Sequence, residues 1–347
     1  MTHIGLIIGA SGQDSSYLAE LLLEKGYIVY GMVRRNSIDK YPNIEHIRDK
    51  INVIYGDITD YASVSSTFNT IFTQEGKDFD SLFVFALAAQ SHVKVSFDIP
   101  IYTSMVDAIG TLNVLECIRH SPFKNKIRIY QASTSELYGD VLETPQTETT
   151  PFNPQSPYAI AKLYAYWMIK NYRQSYGLFA CNGILFNHTS IRRGENFVCR
   201  KIAMATARIC EDKQDCLYLG NLSAKRDLGH AKDYVDGMLK ILLHDKPDDF
   251  VLSMNETYSV REIVEMCFKV LHKNVIWEGK GLEEVGKVDD RVVVRVDPKF
   301  FRPSEVNLLL GDSTKARTIL SWSPTYSTQE ILQEMVLYEV DQCLSGK

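Results

Sequence analysis

Ile4-Gly5-Leu6-Ile7-Ile8-Gly9-Ala10-Ser11-Gly12-Gln13-Asp14-Ser15 is the stretch that decides the fold. A short apolar run without polar alternation predicts a strand buried on both faces, as in parallel sheets. A turn with two glycines follows, and then a helix-like pattern from Ser15 to Lys25. Strand, turn and helix in that order make an anion site. The first glycine permits the tight turn, and the second lets a pyrophosphate approach N–H groups at the positive end of the helix. The glycines alone are a weak signal, and the strand and helix around them give it weight. The reading assigns Gly9, Ser11, Gly12, Gln13 and Asp14 to a dinucleotide. Ser15 stands where a third glycine is usual, so its hydroxymethyl must fit the close contact of helix and strand.

The same alternation continues outward. Further apolar runs are Ile28–Val33, Val53–Tyr55, Leu82–Ala86, Ile127–Tyr130 and Gly183–Phe186, with helical patterns between them. This predicts a doubly wound α/β fold, a Rossmann-like parallel sheet covered on both faces. After Asn187 the rhythm weakens, and a charged, turn-rich stretch spans Gly279 to Asp290. Helices are expected at Ser259–Leu271 and Thr328–Asp341. The expected organisation is an NADP-binding domain of residues 1–187 plus about 225–255, and a smaller mixed α/β lobe of about 188–224 plus 256–347. The second run ends in Arg34-Arg35, where sites that prefer NAD place an acid for the ribose 2′-hydroxyl. Two guanidinium groups suit a 2′-phosphate instead, so the cofactor expected is NADP. Asp57 and Ile58, after the third run, are candidates for the adenine edge.

Composition bounds the rest. The chain has 347 residues with 38 basic and 43 acidic side chains, a net charge of −5. That balance, without a Lys/Arg run, argues against a nucleic-acid or anionic-membrane partner. The apolar stretch Leu82–Ala89 falls far short of the roughly 20 residues of a membrane span. Seven cysteines without a C-x-x-C pair favour neither a disulfide framework nor a zinc site. With nothing resembling a signal peptide, the expectation is a cytoplasmic enzyme.

Two segments carry chemistry. Tyr158-Ala159-Ile160-Ala161-Lys162 sets a phenol and an ammonium four residues apart, on one face of a helix started by Ser156-Pro157. The cation is expected to pull the phenol's pKa toward neutrality, making Tyr158 a base. Gln131 to Gly139 follows the fifth apolar run, at the end of the sheet where such folds bind ligands. There Thr134 can orient a sugar hydroxyl and Glu136 can move a carbon-bound proton. His92, His188 and His230 show no metal-ligand spacing, so no metal is expected.

Taken together, these residues resemble the GDP-mannose 4,6-dehydratases, a family of extended short-chain dehydrogenases/reductases. The likeness runs from about residue 5 to 325. It includes Ala89–Val93, Gln131–Gly139, Leu185–His188, Arg192–Phe197, Arg200–Ile202, Ala224–Asp227, Gly229–Tyr234 and Phe301–Val306. It implies C4 oxidation by Tyr158 with hydride passing to NADP, proton removal at C5 by Glu136, loss of water from C6 and hydride return to C6. Lys162 would hold the nicotinamide ribose, and the cofactor would stay tightly bound and be regenerated each turnover. The resemblance adds Leu87, Ala88, His188 and Arg193 to the cofactor site. It places Ser91, Asn187, Lys201, Arg226, Arg302 and Glu305 on the GDP-sugar. Arg35 with the loop Asn36–Glu45 would reach a neighbouring subunit's cofactor, in a homodimer or homotetramer. Departures are Ser15, Ala88, and Ser223 and Leu228 beside Arg226, so GDP-manno-heptose stays open as substrate. Other readings are a 4-epimerase, which has no need of Glu136, a simple reductase, and a non-catalytic NADP-sensing protein, which has no need of the whole set.

Overall fold

The computed structural model describes residues 2–345. Seven strands form one sheet: β1 (His3–Ile8), β2 (Ile28–Val33), β3 (Asn52–Tyr55), β4 (Ser81–Ala86), β5 (Ile127–Thr134), β6 (Phe179–Leu185) and β11 (Phe250–Leu252). Their order is β11-β6-β5-β4-β1-β2-β3, and every pairing is parallel. The sequence order reverses between β1 and β4. A crevice opens at such a switch point beyond the carboxyl ends of the strands.

Helices cover both faces, which is why the strands read as unbroken apolar runs. α1 (Gln13–Glu24) and α8 (Ala231–Leu243) bury Leu18, Leu22, Val235 and Met238 on one face. α2 (Tyr61–Glu75), α5 (Gly110–His120) and α6 (Pro157–Tyr176) bury Phe68, Leu115 and Ile169 on the other. α3 (Val93–Asp98) and α4 (Pro100–Ser104) run along the mouth of the crevice. α10 (Thr314–Ile319) and the turn after it send Ala316, Leu320 and Trp322 into the core beneath α8.

A second core lies among α7 (Val198–Cys210), α9 (Val260–Val270) and α11 (Thr328–Leu344). Capping boxes at Ser259/Glu262 and Ser327/Glu330 start α9 and α11 close to where the sequence predicts. These helices pack on a four-stranded sheet of β13 (Ile276–Glu278), β14 (Val285–Val288), β15 (Arg291–Val296) and β8 (Leu217–Leu219). The stretch read as turn-rich therefore contains a strand. Asp289 and Asp290, at φ 48° and 64°, make the two-residue turn that pairs β14 with β15. Their short polar side chains tolerate that backbone without glycine. Two short pairings tie the cores: β7 (Asn187–Thr189) with β10 (Leu228–His230), and β9 (Lys225–Arg226) with β12 (Tyr258–Ser259).

Candidate active site

The crevice is a cleft of about 1150 Å³ that extends from the switch point to the second core. Every residue assigned to the site from sequence lines it except Arg35, which is exposed outside, and Glu305.

At the cofactor end, Gly9 has φ +90°, and a Cβ there would lie 2.7 Å from the Ala88 backbone. Fold geometry demands this glycine. Gly12 differs: its φ is an ordinary −72°, and a Cβ would meet nothing closer than 3.5 Å. The protein does not need that space, so it is a cradle left open at the uncapped start of α1. Ser15, in place of a third glycine, turns its Oγ inward and donates to Gly9 O at 2.8 Å. Arg34 reaches the cleft from the end of β2 and donates to the Tyr102 hydroxyl. Asp57 accepts from Thr59 N–H and Oγ1, which fixes the turn that presents Ile58.

Across the cleft, His188 Nδ1 contacts Phe186 O and Nε2 contacts Asp14 Oδ2, each at 2.8 Å. Burial raises the Asp14 pKa, but His188, Gln13 and Arg193 outweigh it and leave the carboxyl below its ordinary value. The Arg193 guanidinium lies 3.7 Å over the Phe197 ring. Asn187 Oδ1 is buried, lines the cleft and has no donor. Such an orphan calls for a ligand. The open cradle, the guanidinium at the end of β2 and this orphan fit a dinucleotide and its substrate.

At the centre, β5 delivers Thr134, and the single turn Ser135–Leu137 after it delivers Glu136. α6 starts at Ser156, whose Oγ accepts from Ala159 N–H at 3.1 Å, with Pro157 in the first turn. Its first turns carry Tyr158 and Lys162, which meet Thr134 and Glu136 in one corner. Here the structure corrects one expectation. Burial pushes the Tyr158 phenol above its ordinary pKa, and Asp107 and Glu136 push the same way. The Thr134 hydrogen bond and Arg193 offset only part. Lys162 is not among the leading influences on it: its ammonium donates to Ala132 O at 3.0 Å and lies 6.0 Å from the Tyr158 ring centre.

At the far end, Lys201 sits 3.4 Å over Phe300 and is pulled down to about 8 by burial and by Lys299, with Lys94 adding to that. Lys94 and Lys299, missed by the sequence reading, join it around the same ring. Neither lies in a motif with an obvious role, and only the fold brings them together. Arg226 donates to Glu305 at 3.2 Å, so Glu305 serves an arginine rather than the cleft. Arg302, expected on the diphosphate, donates to Glu136 Oε1 at 3.2 Å. It thus holds the carboxylate assigned to proton transfer.

A switch-point cleft with a Thr–Glu–Tyr–Lys set on its floor defines a nicotinamide-dependent enzyme of the extended short-chain dehydrogenase/reductase class. Solved structures agree on the fold: UDP-glucose 4-epimerase from Thermotoga maritima superimposes with a TM-score of 0.79 at 22% identity, covering 99% of this chain and 100% of that one. The family model for GDP-mannose 4,6 dehydratase matches residues 6–335. GDP-mannose 4,6 dehydratase 2 of Caenorhabditis elegans is 50% identical, over 97% of this chain and 89% of its own length. The Homo sapiens GDP-mannose 4,6 dehydratase is 49% identical, over 98% and 92%. The chain belongs to the GDP-mannose 4,6-dehydratase family.

Proposed function

We propose that the chain is an NADP-dependent hydro-lyase that converts GDP-mannose to GDP-4-keto-6-deoxymannose. The observation that carries the reading is Glu136, buried beside Tyr158 and Thr134 and gripped by Arg302. An epimerase has no use for that carboxylate, and a simple reductase would consume NADPH. Arg34 at the cleft supports NADP, and Lys201, Arg226 and the orphaned Asn187 Oδ1 support the GDP-sugar.

Thr134 holds the sugar 4-hydroxyl and Tyr158 takes its proton. When bound, the nicotinamide would supply the hydride acceptor for C4 and the hydride donor for C6, and Lys162 would hold its ribose. With C4 a ketone, the C5 proton is acidic and Glu136 removes it. The same carboxyl then protonates the C6 oxygen, which leaves as water. As C6 receives hydride, C5 takes the proton held by Tyr158, which restores the phenolate. The ledger closes on loss of water with no net redox change.

GDP-mannose deuterated at C4 tests this. The product should weigh one water less and carry the deuterium at C6, with no NADPH accumulating. Deuterium lost to solvent, or a product of unchanged mass, would sink the reading. GDP-manno-heptose belongs in the same substrate panel, because its extra carbon, attached at C6, leaves the 4-hydroxyl, the C5 proton and the 6-hydroxyl in place.

A cytoplasmic location is part of the same proposal, supported by seven free thiols; no helix among the described residues is long and apolar enough to cross a membrane. Ile160, Tyr164 and Trp167 form an exposed apolar stripe on α6, with Ile101 and Met105 exposed beside the cleft. A second copy of the chain would cover these residues, and sedimentation giving only monomer at micromolar concentration would exclude that.

A further inference from the structure

Between α4 and α5 the helix is irregular: Met105–Ile109 forms a π-helical turn. Such turns are rare and are found frequently at functional sites. The middle residue of this one is Asp107, 1% exposed. Its Oδ1 accepts from Gln90 N–H at 2.7 Å, whereas Oδ2 is buried with no donor. An unsatisfied buried carboxylate oxygen is costly, and the reaction described above makes no use of Asp107.

The charged and titratable groups around it are few. From α6 come Lys162, 2% exposed, and Tyr158. The segment before α3 contributes only the Gln90 N–H. α4 contributes Thr103, bonded to the Gln90 side chain, and α5 contributes Thr111, bonded to Gln131 on β5. Glu136 and Arg193 act on Tyr158. Lys162 is therefore the cation that answers Asp107, and Asp107 is the carboxylate that answers Lys162.

We propose that Asp107 is a positioning residue for the catalytic pair: its buried carboxylate is the fixed counter-charge that keeps Lys162 an ammonium and opposes early ionisation of Tyr158. The proposal rests on Tyr158 and Lys162 acting as assigned above. Burial lowers the Lys162 pKa and Asp107 raises it. Burial pushes Asp107 up to about 6, with Lys162 and the Gln90 N–H restraining the rise. Above that pH the carboxylate is charged and acts on both partners.

Asp107→Asn removes the charge while its amide oxygen can still accept from Gln90 N–H. Lys162 then loses its offset and Tyr158 loses an opposing charge, so both pKa values fall. Both limbs of the kcat/KM–pH profile should move to lower pH by about one unit, with KM for GDP-mannose little changed. Asp107→Glu, which restores the charge, should move the limbs back. Tyrosine labelled with 13C at Cζ, assigned by the Tyr158→Phe spectrum, reads the phenol directly. That signal should titrate lower in Asp107→Asn whether or not GDP-mannose is the substrate, which separates this proposal from the dehydratase reading. If Asp107→Asn does not fold, infrared titration of the unaltered protein remains, and it should show a buried carboxyl changing state near pH 6. An unmoved profile, a uniform loss at every pH, or no such carboxyl would overturn the proposal.

Discussion

The two ends of the cleft are built in opposite ways. The pyrophosphate cradle at the cofactor end comes from one contiguous stretch, Gly9 to Ser15, braced internally by Ser15 Oγ on Gly9 O. The substrate end is assembled from distant segments, with Arg302 reaching Glu136 across 166 positions and Lys94, Lys201 and Lys299 gathering at Phe300. Local geometry suffices to hold a pyrophosphate, because a turn and a helix start already point their N–H groups the same way. No local segment can surround a nucleotide sugar, so tertiary packing must supply those groups.

The comparison breaks first at its weakest joint, Arg302. Arg302→Gln removes the cation on Glu136 without touching the dinucleotide cradle. Turnover should fall about 10- to 100-fold, a loss of about 1.4–2.7 kcal/mol of transition-state stabilisation. NADP affinity measured by fluorescence titration should stay within twofold. A parallel loss of NADP binding would show that the two ends are not independent.

The glycines sharpen the contrast within the local end. Gly12→Ala meets no close neighbour in the protein, so its melting temperature should hold while NADP affinity drops about tenfold, as a ligand is pushed off the backbone. Gly9→Ala clashes with the Ala88 backbone and should cost about 1–3 kcal/mol of stability by denaturant titration. If Gly12→Ala melted early as well, the open cradle would be a folding requirement instead.

The smallest effect concerns the choice of cofactor. Arg34→Glu should weaken NADP more than NAD, by about 1–2 kcal/mol, as a carboxylate replaces a guanidinium facing the 2′-phosphate. Equal losses in calorimetric titrations of the two cofactors would remove Arg34 from that role.

Much of this was legible in the sequence, and the failures have physical causes. β1, its turn and α1 were readable because a buried strand, a positive-φ glycine and a helix start each leave a local mark. The Tyr158–Lys162 pair was readable from helical spacing, but its electrostatics were not. Spacing says that two side chains share a face; it does not say that Lys162 turns to Ala132 O and that burial dominates the phenol. β14 was hidden because Asp289-Asp290 makes its hairpin turn without glycine.

By itself, then, the sequence determined the parallel sheet, the glycine turn between β1 and α1, and the helical spacing of Tyr158 and Lys162, since each depends on neighbours a few positions away. Tertiary structure alone decided that Arg302 serves Glu136, that Glu305 serves Arg226, that Arg35 lies outside the cleft, and that Asp107 stands buried near Lys162. Charge pairing and burial act through space, at distances that no pattern along the chain encodes.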